Sequence, residues 1–190
     1  MLPAFGLFAA PPALGVTAEA VISSAGGVKQ PSAADNPRDG GLSMATPHTV
    51  EEAEIRAQID RLAEAIRCAD LEGVKPLYAP DVVSFDVGPR LQDVGAEAKW
   101  KNWIAAFSVF ERPIGVEMRD ITITVGGEVA FGHSFNRLSG TLKNGTMSDG
   151  FWVRATYCFR NIDGNWVIVH DHASAPLDPR SGKALLNLEP

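Results

Sequence analysis

The chain has 190 residues, of which 45% are hydrophobic and 21% charged, a composition typical of globular proteins. Its 17 Lys and Arg residues against 23 Asp and Glu give a net charge of −6, which argues against a broad nucleic-acid-binding surface. No apolar stretch reaches the roughly 18 residues that would span a bilayer. Cys68 and Cys158 are too few for a disulfide framework and lack metal-ligand spacing. The sequence therefore predicts one soluble, cytoplasmic domain with reduced cysteines and with no nucleic-acid or membrane partner.

The first 49 residues differ in composition from the rest. They contain ten Ala, six Gly and six Pro but only five charged residues. Such a segment cannot bury enough apolar surface to offset its ordering entropy, so residues 1–49 are predicted to be a flexible leader. Two alternatives stay open. One is a secretory signal, although no cationic residue precedes Lys29, and the other is a true start at Met44.

Three helices are predicted in the first half of the folded part. Thr49 and Glu52 form a capping box, and an apolar stripe follows at helical spacing, so the first helix covers about 50–69. Asp70 can cap a short second helix that reaches Tyr78, although Pro76 weakens its end. A third helix covers about 95–110. Its aromatic and apolar face consists of Trp100, Trp103, Ile104, Phe107 and Phe110.

After Pro113 the hydrophobic period changes to two, which is typical of β-strands. The predicted long strands are 114–125, 128–142, 146–160 and 165–174. Gly126-Gly127, Asn144-Gly145 and Asp163-Gly164 lie between them, and such dipeptides favour tight hairpins. One more short strand, 82–87, is predicted between the second and third helices. Helices that precede a mainly antiparallel sheet indicate an α+β domain with a single core.

Three segments carry a family resemblance, namely Ala69–Asp81, Trp100–Phe107 and Asp163–Pro176. They resemble the nuclear transport factor 2-like superfamily, closest to its SnoaL-like, ketosteroid isomerase-like and kinase-association branches. The resemblance covers residues 50–178 and leaves a C-terminal tail, 179–190. It implies a cone-shaped, curved, mixed but mainly antiparallel sheet wrapped around three N-terminal helices. It also implies an apolar pocket for a small molecule, and homodimers formed through the outer face of the sheet.

Asp86 is the most informative candidate. It lies at a position that resembles the base of the ketosteroid isomerases, and a carboxylate at the mouth of an apolar pocket could shuttle a proton. The alternative is an aspartate that caps the turn after its strand. The positions that match the oxyanion hole of those isomerases are Leu62 and Thr156, which do not supply two strong donors. Classical steroid isomerisation is therefore not expected.

The later strands add histidine and arginine candidates. His170 and His172 are predicted to share a face with Trp166 and Ile168, with His172 as a general acid and His170 as a ligand contact. Structural imidazoles are the alternative. His133 is also predicted to contact the ligand. It is the one plausible third imidazole for a metal, but no Cys or carboxylate is placed to complete a metal site, so none is predicted.

Arg154 lies in a generally apolar strand segment. An arginine there needs a partner, so Arg154 is predicted to pair with Asp86, Asp149 or Asp171, or to hold a ligand carboxylate or phenolate. An exposed position on a dimer face is the alternative.

Tyr78, Trp103 and Phe107 are expected to line the pocket, with the hydrophobic core as the alternative reading of these aromatic residues. The sequence thus predicts a SnoaL-like protein whose pocket binds a small, apolar, carbonyl-bearing molecule. If it is an enzyme, it is an isomerase, cyclase or lyase that uses Asp86 as the base and needs no metal or organic cofactor. The alternative is a non-catalytic ligand-binding or dimerisation module that resembles the kinase association domain.

Overall fold

A computed structural model describes residues 49–190. The predicted leader, its signal-peptide alternative and the alternative start at Met44 lie outside the described residues, apart from Thr49. No helix in the described part is long and apolar enough to cross a membrane. The elements in chain order are α1 (Val50–Arg67), α2 (Leu71–Val74), β1 (Tyr78–Phe85), β2 (Asp93–Val94), α3 (Ala96–Val109), β3 (Gly115–Gly126), β4 (Val129–Thr141), β5 (Met147–Ser148), β6 (Trp152–Ile162) and β7 (Asn165–Ser174).

The strands form one mixed sheet in the order β2-β1-β7-β6-β4-β3, with β5 paired to β4. All pairs are antiparallel except β1 with β7, which is parallel. The parallel pair brings the first strand against the last one. The sheet curls around the helices, so the prediction of a mixed, mainly antiparallel α+β fold is confirmed.

The helices follow the predicted capping signals. The Thr49 side chain accepts a hydrogen bond from the Glu52 backbone N–H at 3.1 Å, and the Asp70 side chain accepts one from the Gly73 N–H. The second helix is shorter than predicted. Because Pro76 has no N–H to donate, the chain tightens into a 3₁₀ turn over Lys75–Leu77, and β1 begins at Tyr78.

The predicted strand over 146–160 is divided in two at Gly150. This residue has a φ of +67°, and a Cβ there would lie 1.8 Å from the Leu138 carbonyl oxygen. The chain therefore leaves β4 after the short β5 and returns to it as β6.

The core lies between α1 and the inner face of the sheet. Its most buried large side chains include Trp166, Phe159, Ile55 and Leu62. Toward α3 the packing is more open, because the apolar side chains there keep part of their surface accessible. These partly buried residues include Trp100, Trp103, Phe107, Val116, Met118 and Leu138.

A β-bulge in β7 decides which of its side chains point inward. Cys158 of β6 pairs with His170, whereas the next residue, Phe159, pairs with Ile168, so Val169 is an extra residue in β7. Trp166 and Ile168 are buried before the bulge and Asp171 is buried after it. The histidines on either side of Asp171 therefore lie on the outer face, and not on the face of Trp166 and Ile168 as predicted.

We expect Gly150→Ala to lower the free energy of unfolding by about 3 kcal/mol, because the methyl group adds a clash to the strain of a positive φ. Gly145→Ala is the matched control. Its φ is +82° and its surroundings are open, so only the backbone cost of about 1 kcal/mol applies. Urea denaturation of both variants measures the difference, and equal losses would contradict the proposed contact with Leu138.

Candidate functional site

A lysine is the one fully buried residue of α3. The Lys99 side chain is 3% exposed, and its ammonium lies 2.7 Å from Asp171 Oδ2 and 3.0 Å from Asp86 Oδ2. A buried charge is tolerated only when it is paired and hydrogen-bonded. The two carboxylates therefore fix the position of Lys99 between α3, β1 and β7.

Asp171 is the centre of this network. Its Oδ1 accepts a hydrogen bond from the Ser84 hydroxyl, and its Oδ2 accepts one from the Tyr78 hydroxyl at 3.1 Å. Ser84 is its register partner in β1 and Tyr157 its partner in β6. The pairing of three strands thus places polar groups around a single buried carboxylate.

Asp86 immediately follows β1 and is held at only one of its oxygens. Its Oδ2 accepts hydrogen bonds from Lys99 Nζ at 3.0 Å and from Asn102 Nδ2 at 2.6 Å. Its Oδ1 has no hydrogen-bond partner among residues 49–190, and the side chain is 29% exposed. Asp86 is therefore oriented by the protein and still has an oxygen that can accept a proton.

A second set of contacts holds the loop between β1 and β2 against α3. Asn102 Nδ2 also donates to Asp93 Oδ2 at 2.7 Å, and its Oδ1 accepts a hydrogen bond from Arg90. Arg90 and Asp93 form an ion pair at 2.8 Å. These bonds fix Asn102, and through it the carboxylate of Asp86.

Both tyrosines of the chain lie near this network. The Tyr157 hydroxyl accepts a hydrogen bond from Asn136 Nδ2 at 2.5 Å, and Asn136 in turn accepts one from the Ser134 hydroxyl. Burial and the charge of Asp171 raise the pKa of Tyr78 well above 10.0. Burial also raises the pKa of Tyr157 to about 12. Both phenols are thus neutral hydrogen-bonding groups at physiological pH.

The charges in the network sum to −1, because two carboxylates share one ammonium. Burial raises the pKa of Asp171, and the charge of Asp86 acts in the same direction against the opposing effect of Lys99. Burial by itself would lower the pKa of Lys99, but the attraction of Asp171 and Asp86 holds that pKa above its ordinary value. Lys99 is therefore an ammonium ion and not a free amine nucleophile.

Aromatic side chains form the apolar wall beside the network. The Lys99 ammonium lies 5.6 Å from the ring centroid of Tyr78 and 5.5 Å from that of Trp103. Trp103 packs on Phe107, and Trp100 meets Tyr78 edge-on. The indole Nε1 of Trp103 is buried and has no hydrogen-bond partner within the described chain. An unpaired buried donor in such a wall is a position where a ligand acceptor could bind.

The residues singled out from the sequence divide between the two faces of the sheet. Asp86, Tyr78, Trp103 and Phe107 lie around the network on the inner side. The other four lie on the outer face, away from it; they are His133, Arg154, His170 and His172.

The outer-face residues have local structural contacts. His133 bonds to the Thr122 hydroxyl and His170 to the Val83 carbonyl oxygen, each at 2.7 Å. Phe85 contacts the rings of His170 and His172. Arg154 is exposed and has no ion-pair partner within residues 49–190, so the aspartate partner predicted for it is not found. In the same part of the chain, no group of three His, Cys, Asp or Glu side chains is placed to hold a metal ion.

Sequence reasoning missed Lys99, Asn102 and Tyr157 as site residues. Lys99 had a readable signal, because it precedes Trp103 and Phe107 by four and eight residues and so lies on the aromatic face of α3. A lysine on an apolar helix face needs a buried carboxylate as its partner. Asp171 was considered only as a partner of Arg154.

A separate cavity lies away from this network. It is an open groove of about 740 Å³ lined by residues of α1, α2 and the start of β7, Cys68 and Leu77 among them. The Glu64 carboxylate and burial raise the pKa of the Cys68 thiol, so the groove does not hold an activated nucleophile. The groove lacks the charged network, so we assign the chemistry to the residues around Lys99.

A family model of the SnoaL-like domain matches residues 55–178. An NTF2-like protein of unknown function from Pseudomonas putida KT2440 is 34% identical, with a TM-score of 0.67 and coverage of 74% of this chain and 96% of that chain. The comparison with curated proteins gave no match.

Two further structures have related folds. A Xanthomonas campestris protein, provisionally named a calcium/calmodulin dependent protein kinase II association domain, is 25% identical (TM-score 0.59, coverage 70% and 92%). An NTF2-like superfamily protein from Salmonella enterica serovar Typhimurium LT2 is 21% identical (TM-score 0.60, coverage 70% and 96%).

We expect the folded protein to resist tyrosine ionisation. At a pH of about 11, roughly nine-tenths of ordinary tyrosines are ionised, against roughly one-tenth for a pKa near 12. The ultraviolet absorbance of tyrosinate, followed with and without denaturant, measures both tyrosines directly. Ionisation of both side chains near pH 10 in the folded protein would contradict the buried network.

The same pKa shifts fix the direction of the pH dependence of stability. Above about pH 10 the unfolded chain loses protons that folded Tyr78, Tyr157 and Lys99 retain, so the free energy of unfolding falls as the pH rises.

Proposed function

This chain belongs to the SnoaL-like domain family, and we propose that its cone interior binds a small, uncharged, carbonyl-bearing molecule and moves a proton on it with Asp86 as the base. One observation carries this proposal: a carboxylate with one anchored and one free oxygen lies beside an aromatic wall with an unpaired buried N–H, that of Trp103. Base and donor are the two groups that proton transfer next to a carbonyl requires.

The proposed reaction has two steps. Asp86 Oδ1 accepts a proton from the carbon next to the carbonyl, and the electron pair moves onto the carbonyl oxygen, which accepts a hydrogen bond from Trp103 Nε1. In a substrate with a C=C double bond next to that carbon, Asp86 returns the proton to the far carbon of the double bond while the carbonyl re-forms and the double bond shifts, so the net change is an isomerisation. Lys99 and Asn102 are positioning residues that hold the Asp86 carboxylate in its orientation.

The charges around Lys99 limit the ligand. Its ammonium is already shared by Asp86 and Asp171, so the network offers no free cation to an anionic ligand. A carboxylate or phosphate beside a cluster of net charge −1 would be repelled. The proposed substrate class is therefore neutral and apolar apart from its carbonyl group. The general-acid role predicted for His172 is not part of this proposal, because that side chain lies on the outer face.

The alternative is a binding or dimerisation module without turnover. The outer face of the sheet favours dimerisation, because it exposes Phe131 by 53% and also Phe85 and Val129. We propose that a second copy covers the part of this face around Phe131. The proposed compartment is the cytoplasm, which agrees with Cys68 and Cys158 both being free thiols.

Cyclohexanone in deuterated water tests the catalytic proposal with a simple ketone as the probe. We expect the wild-type protein to accelerate exchange of the protons next to the carbonyl, as followed by proton NMR. Asp86→Asn should reduce this acceleration by about 100-fold or more, because the amide is not a base. Asp81→Asn is the matched control, since Asp81 is an exposed carboxylate paired with Arg160 away from the network.

A second readout separates binding from catalysis. The indole N–H signal of Trp103, assigned with Trp103→Phe, should shift when cyclohexanone binds. A shift without exchange would favour the binding module. If cyclohexanone causes neither a shift nor exchange, the proposal of a carbonyl-binding pocket is contradicted.

The oligomeric state tests the proposed dimer. We expect wild-type protein to sediment as a dimer and Phe131→Glu to sediment as a monomer, because two charges would be buried at the centre of the interface. Leu91→Glu is the control, since Leu91 is exposed on the loop between β1 and β2. A monomeric wild type, or a dimeric Phe131→Glu, would show that this face does not mediate assembly.

A further inference from the structure

We propose that the outer side of the sheet carries a second binding site, for a peptide carboxylate next to an apolar side chain, and that the chain's own Glu189 fills it. We call it the Trp152 site, formed by Arg119, Arg137 and Trp152. A partner protein would present such a peptide and displace the tail. This inference does not depend on the chemistry proposed for Asp86.

The Trp152 site is built from three adjacent strands. Trp152 of β6 is the register partner of Arg137 in β4, and Arg119 lies on neighbouring β3. The guanidinium carbons of Arg119 and Arg137 lie 4.5 and 4.7 Å from the Trp152 ring centroid. Trp152 is only 6% exposed, although it belongs to the outer face. Two guanidinium groups on one buried indole form a preorganised, cationic surface.

Glu117 alone does not saturate the two guanidinium groups of this surface, although the charge of Asp149 also acts on Arg137. Glu117 lies 2.5 Å from Arg119 and 2.7 Å from Arg137, so one carboxylate serves two guanidinium groups. Glu189 supplies the second carboxylate. It accepts a hydrogen bond from Trp152 Nε1 at 2.8 Å and lies 3.7 Å from Arg137 Nη1. The indole N–H and the guanidinium together select a carboxylate.

Glu189 does not use the whole site. Arg137 Nε is buried without a hydrogen-bond partner in the described part of the chain. A cavity of about 150 Å³ lies beside the tail and is lined by Phe135, Trp152, Val153, Arg154 and Pro176 in addition to Leu188–Pro190. A peptide with a better placed acceptor and a larger apolar group would therefore make contacts that the tail does not.

The tail is loosely held. Every residue from 181 to 190 is exposed, and the Glu189 side chain remains 64% exposed while it contacts the buried indole. Upstream, the segment is fixed by a backbone hydrogen bond from Leu185 N to the Pro176 carbonyl oxygen. Such a segment can detach at small cost, so it acts as a built-in competitor for the Trp152 site.

The test uses the full chain and a peptide of residues 183–190, Lys-Ala-Leu-Leu-Asn-Leu-Glu-Pro, acetylated and amidated so that Glu is its only carboxylate. Isothermal titration calorimetry measures the peptide affinity of every variant, and the indole N–H signal of Trp152 locates the bound peptide in the variants that keep this residue. We expect Glu189→Gln protein to bind this peptide at least about tenfold more tightly than wild type, because the tail no longer competes. The same peptide with Gln in place of Glu should bind at least about tenfold more weakly than the Glu peptide.

Two variants made in the Glu189→Gln background test the site itself. Trp152→Phe keeps an aromatic ring but removes the indole N–H donor, and Arg137→Met removes the guanidinium group. Both variants should therefore bind the Glu peptide more weakly. Arg160→Met is the control. Arg160 lies on β6, as Trp152 does, but its side chain is exposed and pairs with Asp81. Circular dichroism checks that each variant is folded. Absence of peptide binding to Glu189→Gln protein, or equal binding of the Glu and Gln peptides, would overturn the proposal.

Discussion

The buried ammonium of Lys99 is the constraint around which the inner side of this domain is organised. An unpaired charge there would cost several kcal/mol, so α3, β1 and β7 must each deliver their polar groups to the same place. Asp171 comes from the last strand, Asp86 from the end of the first, and Asn102 from the helix itself. The ion pairs therefore fix the relative positions of three elements, and the geometry of the candidate site is a consequence of that arrangement.

The sheet separates two chemically different surfaces. The inner surface combines a compact acidic network with aromatic walls, whereas the outer surface presents histidines, exposed Phe131 and the cationic Trp152 site. Strand alternation alone would have put His170 and His172 with Trp166 inside. The extra residue at Val169 reverses that assignment and brings Asp171 inward. One bulge thus determines whether the interior contains imidazoles or a carboxylate.

The sequence predicted the local elements well because their signals are local. Thr49, Asp70 and the apolar periodicity fixed the helices, and the Gly-containing dipeptides fixed the hairpins. Asp86 was identified through a family resemblance, and the structure adds that Lys99 and Asn102 orient it. The partners of Lys99 could not be predicted, because they depend on the register between strands distant in sequence. The register also depends on the break between β5 and β6 at Gly150 and on the bulge at Val169. Neither feature has a clear sequence signal.

The parallel pairing of β1 with β7 also bears on how the domain folds. Tyr78 and Ser84 meet Asp171 across 93 and 87 residues of sequence, so these bonds close a loop that contains all of the other described strands. Contacts of such long range form slowly, because the chain must lose much of its entropy before they contribute. On the ribosome, β1 and α3 emerge long before β7. Lys99 and Asp86 therefore acquire their third partner, Asp171, only when β7 joins the sheet beside β1.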